Sequence, residues 1–80
     1  MANLYDRVMK LICEQFKLDA SQVTPEARFK EDLKIPSLNM VLLHVAMEEE
    51  FNIEVTDQDA KKIISLRTAL EYLNSKNIKD

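Results

Sequence analysis

No residue of this chain is glycine. That absence removes whole classes of architecture. Glycine-rich phosphate loops and dinucleotide fingerprints need backbone positions where no Cβ intrudes on the phosphate, and none is available. Two-residue hairpins depend on residues that adopt positive φ at little cost, so a fold of tight β-hairpins is disfavoured too. Helices remain. With 46% hydrophobic residues in a length of 80, the chain can bury one small core. The expectation is an all-α fold forming a single domain over residues 1–80.

A lone cysteine, Cys13, can form neither an internal disulfide nor a thiolate zinc cluster, which points to a reducing compartment, the cytoplasm. No apolar stretch is long enough to span a membrane, and no secretory leader is expected. A net charge of −3 argues against nucleic acid as a partner. The charge is concentrated. Residues 31–60 carry Lys34 against Glu31, Asp32, Glu48, Glu49, Glu50, Glu54, Asp57 and Asp59, a balance of −7. The flanks, 1–30 and 61–80, stand at +1 and +3. An acidic middle would draw in a basic partner, although acids also serve simply to solvate exposed faces.

Apolar residues at Leu4, Val8, Leu11, Ile12 and Phe16 predict an amphipathic helix from Asn3 to about Lys17, with Asn3 as its N-cap. A long connection follows, Leu18 to Pro36. Within it Asp19–Gln22 and Thr24–Glu26 each read as one capped turn, and Phe29, Leu33 and Ile35 should pin it to the core. Ser37 to Phe51 reads as the second helix. Thr56 with Asp59 forms a capping-box-like start for a short third one, with Ala60, Ile63 and Ile64 on its apolar side. Ser65 can cap the last helix, where Leu66, Ala69, Leu70 and Leu73 share a face. Lys76 and Lys79 suit its C-terminal dipole, and the polar tail from Asn74 onward should fray.

The second helix carries two apolar stripes. At 100° per residue, Met40, Leu43, Met47 and Phe51 gather on one arc, the core face. Leu38, Val41, Leu42 and Val45 fall opposite, beside Glu48 and Glu49. A small bundle needs one stripe only, so either the long loop covers the second or it is a docking surface. Ser37 opens this helix, either as an N-cap or as an exposed hydroxyl open to modification.

Taken together, Phe29-Lys30-Glu31-Asp32-Leu33-Lys34-Ile35-Pro36-Ser37-Leu38 and Met47-Glu48-Glu49-Glu50-Phe51 resemble the acyl carrier protein family. That family reads Phe-x-Glu-Asp-Leu-Gly-x-Asp-Ser-Leu, then an acidic helix ending Leu-Glu-Glu-Glu-Phe. The likeness extends through Val23-Thr24, Ile53-x-Val55 and Ala69-Leu70-x-Tyr72-Leu73. It implies a four-helix bundle with a long loop between helices 1 and 2 and a short third helix. It also implies 4′-phosphopantetheine joined to Ser37 through a phosphodiester, with acyl groups carried as thioesters for fatty-acid, polyketide or related specialised biosynthesis. The cofactor would supply the thiol, so the chain would be a carrier and not an enzyme. The implied partners are a phosphopantetheinyl transferase and acyl-transferring, synthase or ligase enzymes with basic and apolar docking patches. They would meet a monomer through Leu38, Val41, Leu42, Val45, Glu48, Glu49 and Asp57.

Four positions depart from the pattern. Lys34 replaces the glycine, Pro36 the aspartate before the serine, Asn39 the aspartate two residues after it, and Leu42 a docking glutamate. The motif is thinned where a transferase would grip, which keeps open an unmodified carrier-fold helical interaction module. Leu42 meanwhile widens the apolar stripe toward a partner that reads hydrophobic shape. His44, the single histidine, lacks companions for a metal or a catalytic dyad and reads as a boundary residue. Cys13 beside the first helix's stripe reads as a small hydrophobe. No metal site is expected, since the acids lack the register of a calcium loop.

Overall fold

The structure, a computed structural model, describes residues 3–78. Four helices carry the fold: α1 (Leu4–Phe16), α2 (Ser37–Phe51), α3 (Asp57–Ala60) and α4 (Leu66–Ser75), with a 3₁₀ turn at Ala20–Gln22. Among the described residues there is no strand, only one isolated antiparallel bridge between Arg28 and Ser65. The all-α expectation holds, and α2 occupies the span read from its periodicity. Lys79, assigned above to the last helix's dipole, lies outside the described residues.

Local chemistry explains the boundaries. Asn3 Oδ1 accepts the Asp6 N–H at 2.8 Å and starts α1. Thr56 Oγ1 accepts the Asp59 N–H at 3.1 Å while Asp59 Oδ2 accepts the Thr56 N–H, a capping box that starts α3. Ser65 and Thr68 exchange the same pair of bonds to start α4. In the long loop, Gln22 Oε1 accepts the Asp19 N–H, and the turn at Thr24 closes through the Ala27 N–H on its carbonyl.

The far ends show how a chain without glycine stops a helix. Lys17, Asn52 and Asn77 take the left-handed conformation at φ 58°, 55° and 64°. The following residues, Leu18, Ile53 and Ile78, donate back to Cys13, Glu48 and Leu73 O, and each packs partly buried against the core. The tail expected to fray from Asn74 is therefore closed through Ile78. The polar side chains there are compatible with a backbone-satisfied cap, which the polarity of the segment hid.

The core joins Val8 and Ile12 of α1, Leu43 and Met47 of α2, Leu66, Ala69 and Leu73 of α4, and Phe29 from the loop. Each of these side chains except Ala69 contributes about 1.5–3 kcal/mol of burial. Val23 and Tyr72, quoted above for the family likeness and not as core residues, are buried too. Ile63 is buried, but Ile64, expected beside it on the apolar side, is exposed. The crossing with the long loop accounts for this: Ile64 lends its carbonyl to Phe29 N–H at 2.8 Å, and its side chain turns outward. Arg7 joins α1 to α2, its guanidinium on Glu50 at 3.0 Å and 4.6 Å above the Phe51 ring.

The α2–α3 connection is held by polar contacts. Glu48 Oε2 accepts the Val55 N–H at 2.8 Å, and the Tyr72 hydroxyl donates to Glu54 O and Asp59 Oδ2. Burial, with the Asp59 carboxylate beside it, pushes the Tyr72 phenol up to about 12. Cys13 is half-buried. Burial, helped by Asp19, raises its thiol above the ordinary value, so it is a poor thiolate.

Candidate functional site

The end of the long loop delivers Ser37 to the surface. Phe29 is fully buried, its ring edge-on to Phe16 at 5.6 Å, and it fastens the loop between α1 and the α3–α4 connection. Arg28 gathers Glu31 and Asp32 against itself, and Asp32 Oδ2 caps the Arg28 N–H at 2.8 Å. That backbone bond chiefly holds the Asp32 carboxyl below its usual range, with the Arg28 guanidinium adding to it against a desolvation cost. Two of the loop's acids are thus used locally.

Lys34 then takes φ 59°, the left-handed turn for which the family pattern places glycine. Its Cβ makes that conformation unfavourable by about 1–2 kcal/mol, partly balanced by the smaller freedom of a lysine in the unfolded chain. Lys34→Gly is accordingly expected to raise stability by about 0.5–1 kcal/mol, a gain of roughly 2–8 °C in Tm. Lys34→Ala should give no such gain. Thermal melting of the three proteins checks this, and equal midpoints for glycine and alanine would show that the backbone is not under strain there.

After Lys34, buried Ile35 anchors the strand-like approach and Pro36, extended at φ −63° and ψ 153°, becomes the N-cap of α2. Ser37 is therefore the first helical residue rather than the cap. Pro36 O accepts from Asn39 and Met40 N–H, and no side chain among the described residues caps the helix start. The Ser37 side chain is exposed and bonds to no described residue. A 15-residue helix thus presents uncapped N–H groups, the positive end of its dipole, around a free hydroxyl.

A cleft of about 610 Å³ opens beside that hydroxyl. Met40, Val41, His44 and Val45 of α2 form one wall, and Val55, Ala60 and Ile63 face them from the α3 side. Lys30 and Lys61 also line it, near-surface cations that sequence reasoning passed over. Among the described residues, no three His, Cys, Asp or Glu side chains gather as a metal-holding group.

The second apolar stripe of α2 is uncovered by the loop: Leu38 is 71% exposed, Val41 53%, Leu42 47% and Val45 44%. It divides in two. Val41, Val45, Glu48 and Asp57 line the cleft with Ser37, whereas Leu38, Leu42 and Glu49 stand outside it on the open face. Glu49 and Asp57 are exposed. Glu48 is half-buried, with one carboxylate oxygen already committed to Val55.

His44 is the residue whose surroundings depart most from the expectation of a bland boundary position. It lines the cleft, and its Nε2 is buried without a hydrogen-bond partner among the described residues. Burial holds its imidazole below the ordinary histidine value, only partly countered by Glu48. The signal lay in the spacing. Ser37 and His44 are seven residues apart, two turns of helix, and so share a face about 10 Å apart along the axis.

Residues 6–73 match the family described as phosphopantetheine attachment site. The chain is also 41% identical over 75 residues to an acyl carrier protein of Helicobacter pylori, a match that covers 94% of this chain and 96% of that relative.

Proposed function

The chain belongs to the phosphopantetheine-binding family of acyl carriers, non-catalytic proteins whose prosthetic group is 4′-phosphopantetheine, and from that premise we propose that Ser37 bears the arm. When bound, the group supplies a thiol on which acyl chains travel as thioesters. The observation that carries the assignment is the free Ser37 hydroxyl at the mouth of the 610 Å³ cleft.

The residues fit the group. The uncapped N–H groups of α2 favour an anionic phosphodiester on Ser37, as helix N-termini do for phosphate generally. The aliphatic walls from Met40, Val41, Val45 and Ile63 exclude water from a chain lying between α2 and α3. Outside the cleft, Leu38 and Leu42 offer an apolar contact, and Glu49 there with Asp57 on the cleft's rim offers carboxylates to a basic partner. The reading is of one carrier domain, residues 1–80, acting as a monomer in the cytoplasm. It would serve a phosphopantetheinyl transferase and the acyl-transferring, synthase or ligase enzymes of fatty-acid, polyketide or a related specialised pathway. For membranes the structural fact is narrower: no helix among the described residues is long and apolar enough to cross one.

The test is incubation with coenzyme A and a promiscuous phosphopantetheinyl transferase, followed by intact mass. The wild-type chain should gain one phosphopantetheinyl group and Ser37→Ala none. An unchanged wild-type mass with several transferases would replace the carrier with an unmodified helical interaction module, the outcome that Pro36 and Lys34 favour.

A further inference from the structure

Lys30 and Lys61 are exposed and line the cleft together with Ser37. Neither forms an ion pair among the described residues. The acids near them are engaged or stand apart. Glu31 pairs with Arg28, Glu48 gives one oxygen to the Val55 N–H, and Asp57, one turn before Lys61, makes no ion pair with it. The backbone brings both lysines toward the serine. Phe29 N–H donates to Ile64 O at 2.8 Å, and Phe29 O accepts the Ile35 N–H at 2.9 Å. Lys30 follows Phe29 directly, Ile35 lies two residues before Ser37, and Ile64 lies three after Lys61. Two residues of chain span at most about 7 Å, a distance that a lysine's flexible stem bridges.

We propose that Lys30 and Lys61 form a clamp for the phosphodiester of the arm, holding its first segment at the mouth of the cleft. The inference rests on the carrier reading and adds two binding residues to it. A phosphodiester presents one negative charge on two terminal oxygens, and each lysine is a compact cation with three donors. The loop and the end of α3 can therefore each supply a donor to one oxygen. Two like charges at one mouth also repel each other, a cost that an anion between them relieves. An arm held at this point begins beside Met40, Val41 and Val45 rather than in open solvent.

The experiment loads Ser37 from coenzyme A and compares unloaded and loaded proteins by thermal melting and phosphorus NMR. At low salt, loading should raise the wild-type midpoint by at least about 2 °C more than that of the Lys30→Gln, Lys61→Gln protein. Comparing the gain within each variant cancels what the substitutions do to the unloaded fold. The surplus should vanish at about 1 M salt. In the wild type the phosphorus should relax as part of the folded domain, and its transverse rate should fall in the double variant. Lys30→Arg with Lys61→Arg should retain both effects. Lys62→Gln, which removes the neighbouring charge outside the cleft, should behave as the wild type. Equal gains in the wild type and the glutamine pair, an unchanged phosphorus rate, or an equal loss in Lys62→Gln would overturn the proposal.

Intact mass reports separately whether Ser37 takes the arm. Should it not, the carrier reading fails alone, because a Ser37→Cys, Cys13→Ala protein alkylated with bromoethyl methyl phosphate carries a phosphodiester at the same position. The two readouts then decide the role of Lys30 and Lys61 as before.

Discussion

Phe29→Ala should lower the free energy of unfolding by about 3–5 kcal/mol, the usual cost of emptying a large aromatic site. A domain of this length has about 4–12 kcal/mol in total, so the variant should sit near the edge of folding. Three roles coincide in this residue. Its ring is fully buried against Phe16, its N–H is fixed on Ile64 O at 2.8 Å, and its carbonyl accepts the Ile35 N–H at 2.9 Å. The ring alone is lost in the alanine variant, but the backbone bonds depend on the ring to hold the loop in place. Urea denaturation measures the effect, with Phe29→Leu as a graded control expected to lose much less. A loss below about 1 kcal/mol for alanine would mean that the loop is held by its backbone contacts alone.

Leu42→Glu should do the reverse, leaving the fold alone and damaging recognition. Leu42 is nearly half exposed on α2, so unfolding free energy should change by no more than about 0.5 kcal/mol. Placing a carboxylate between Leu38 and Val45 would instead leave a charge unpaired in an apolar contact. The KM of the loaded protein with its acyl-transferring partner should rise roughly tenfold to a hundredfold, while kcat stays level. The sign is informative because glutamate is the residue that the family pattern carries here. A partner that reads charge would bind the variant more tightly, and that result would sink the apolar-patch assignment.

Much of this architecture is legible before any coordinates. Hydrophobic period locates α2 from Ser37 to Phe51, and the Thr56/Asp59 and Ser65 starts behave as their side chains require. The hydrophobic arc of Met40, Leu43, Met47 and Phe51 is the buried one. The misreadings share one cause, long-range context. Serine is a strong cap in isolation, yet Pro36 takes the N-cap position and leaves Ser37 as the first helical residue. Ile64 belongs to an apolar run, yet the loop's approach to its carbonyl turns the side chain outward. His44 could not be distinguished from a bland boundary residue by composition, because the burial of its Nε2 depends on the packing around α2. Within the site, the shared face of Ser37 and His44 was available in the spacing; the cleft opposite it required the path of α3.

The crossing of the long loop with the α3–α4 connection also bears on the order in which the molecule comes together. Helical turns close between near neighbours and form quickly, whereas Phe29 to Ile64 and Pro25 to Arg67 join segments distant along the chain. Closing such a loop costs entropy before any contact rewards it. Packing α1 against α4 joins residues still farther apart, so the bundle and the loop crossing both depend on distant contacts that follow the local turns. The setting of the hydroxyl on which the proposed function depends is thus tied to long-range closure and not to the turns beside it.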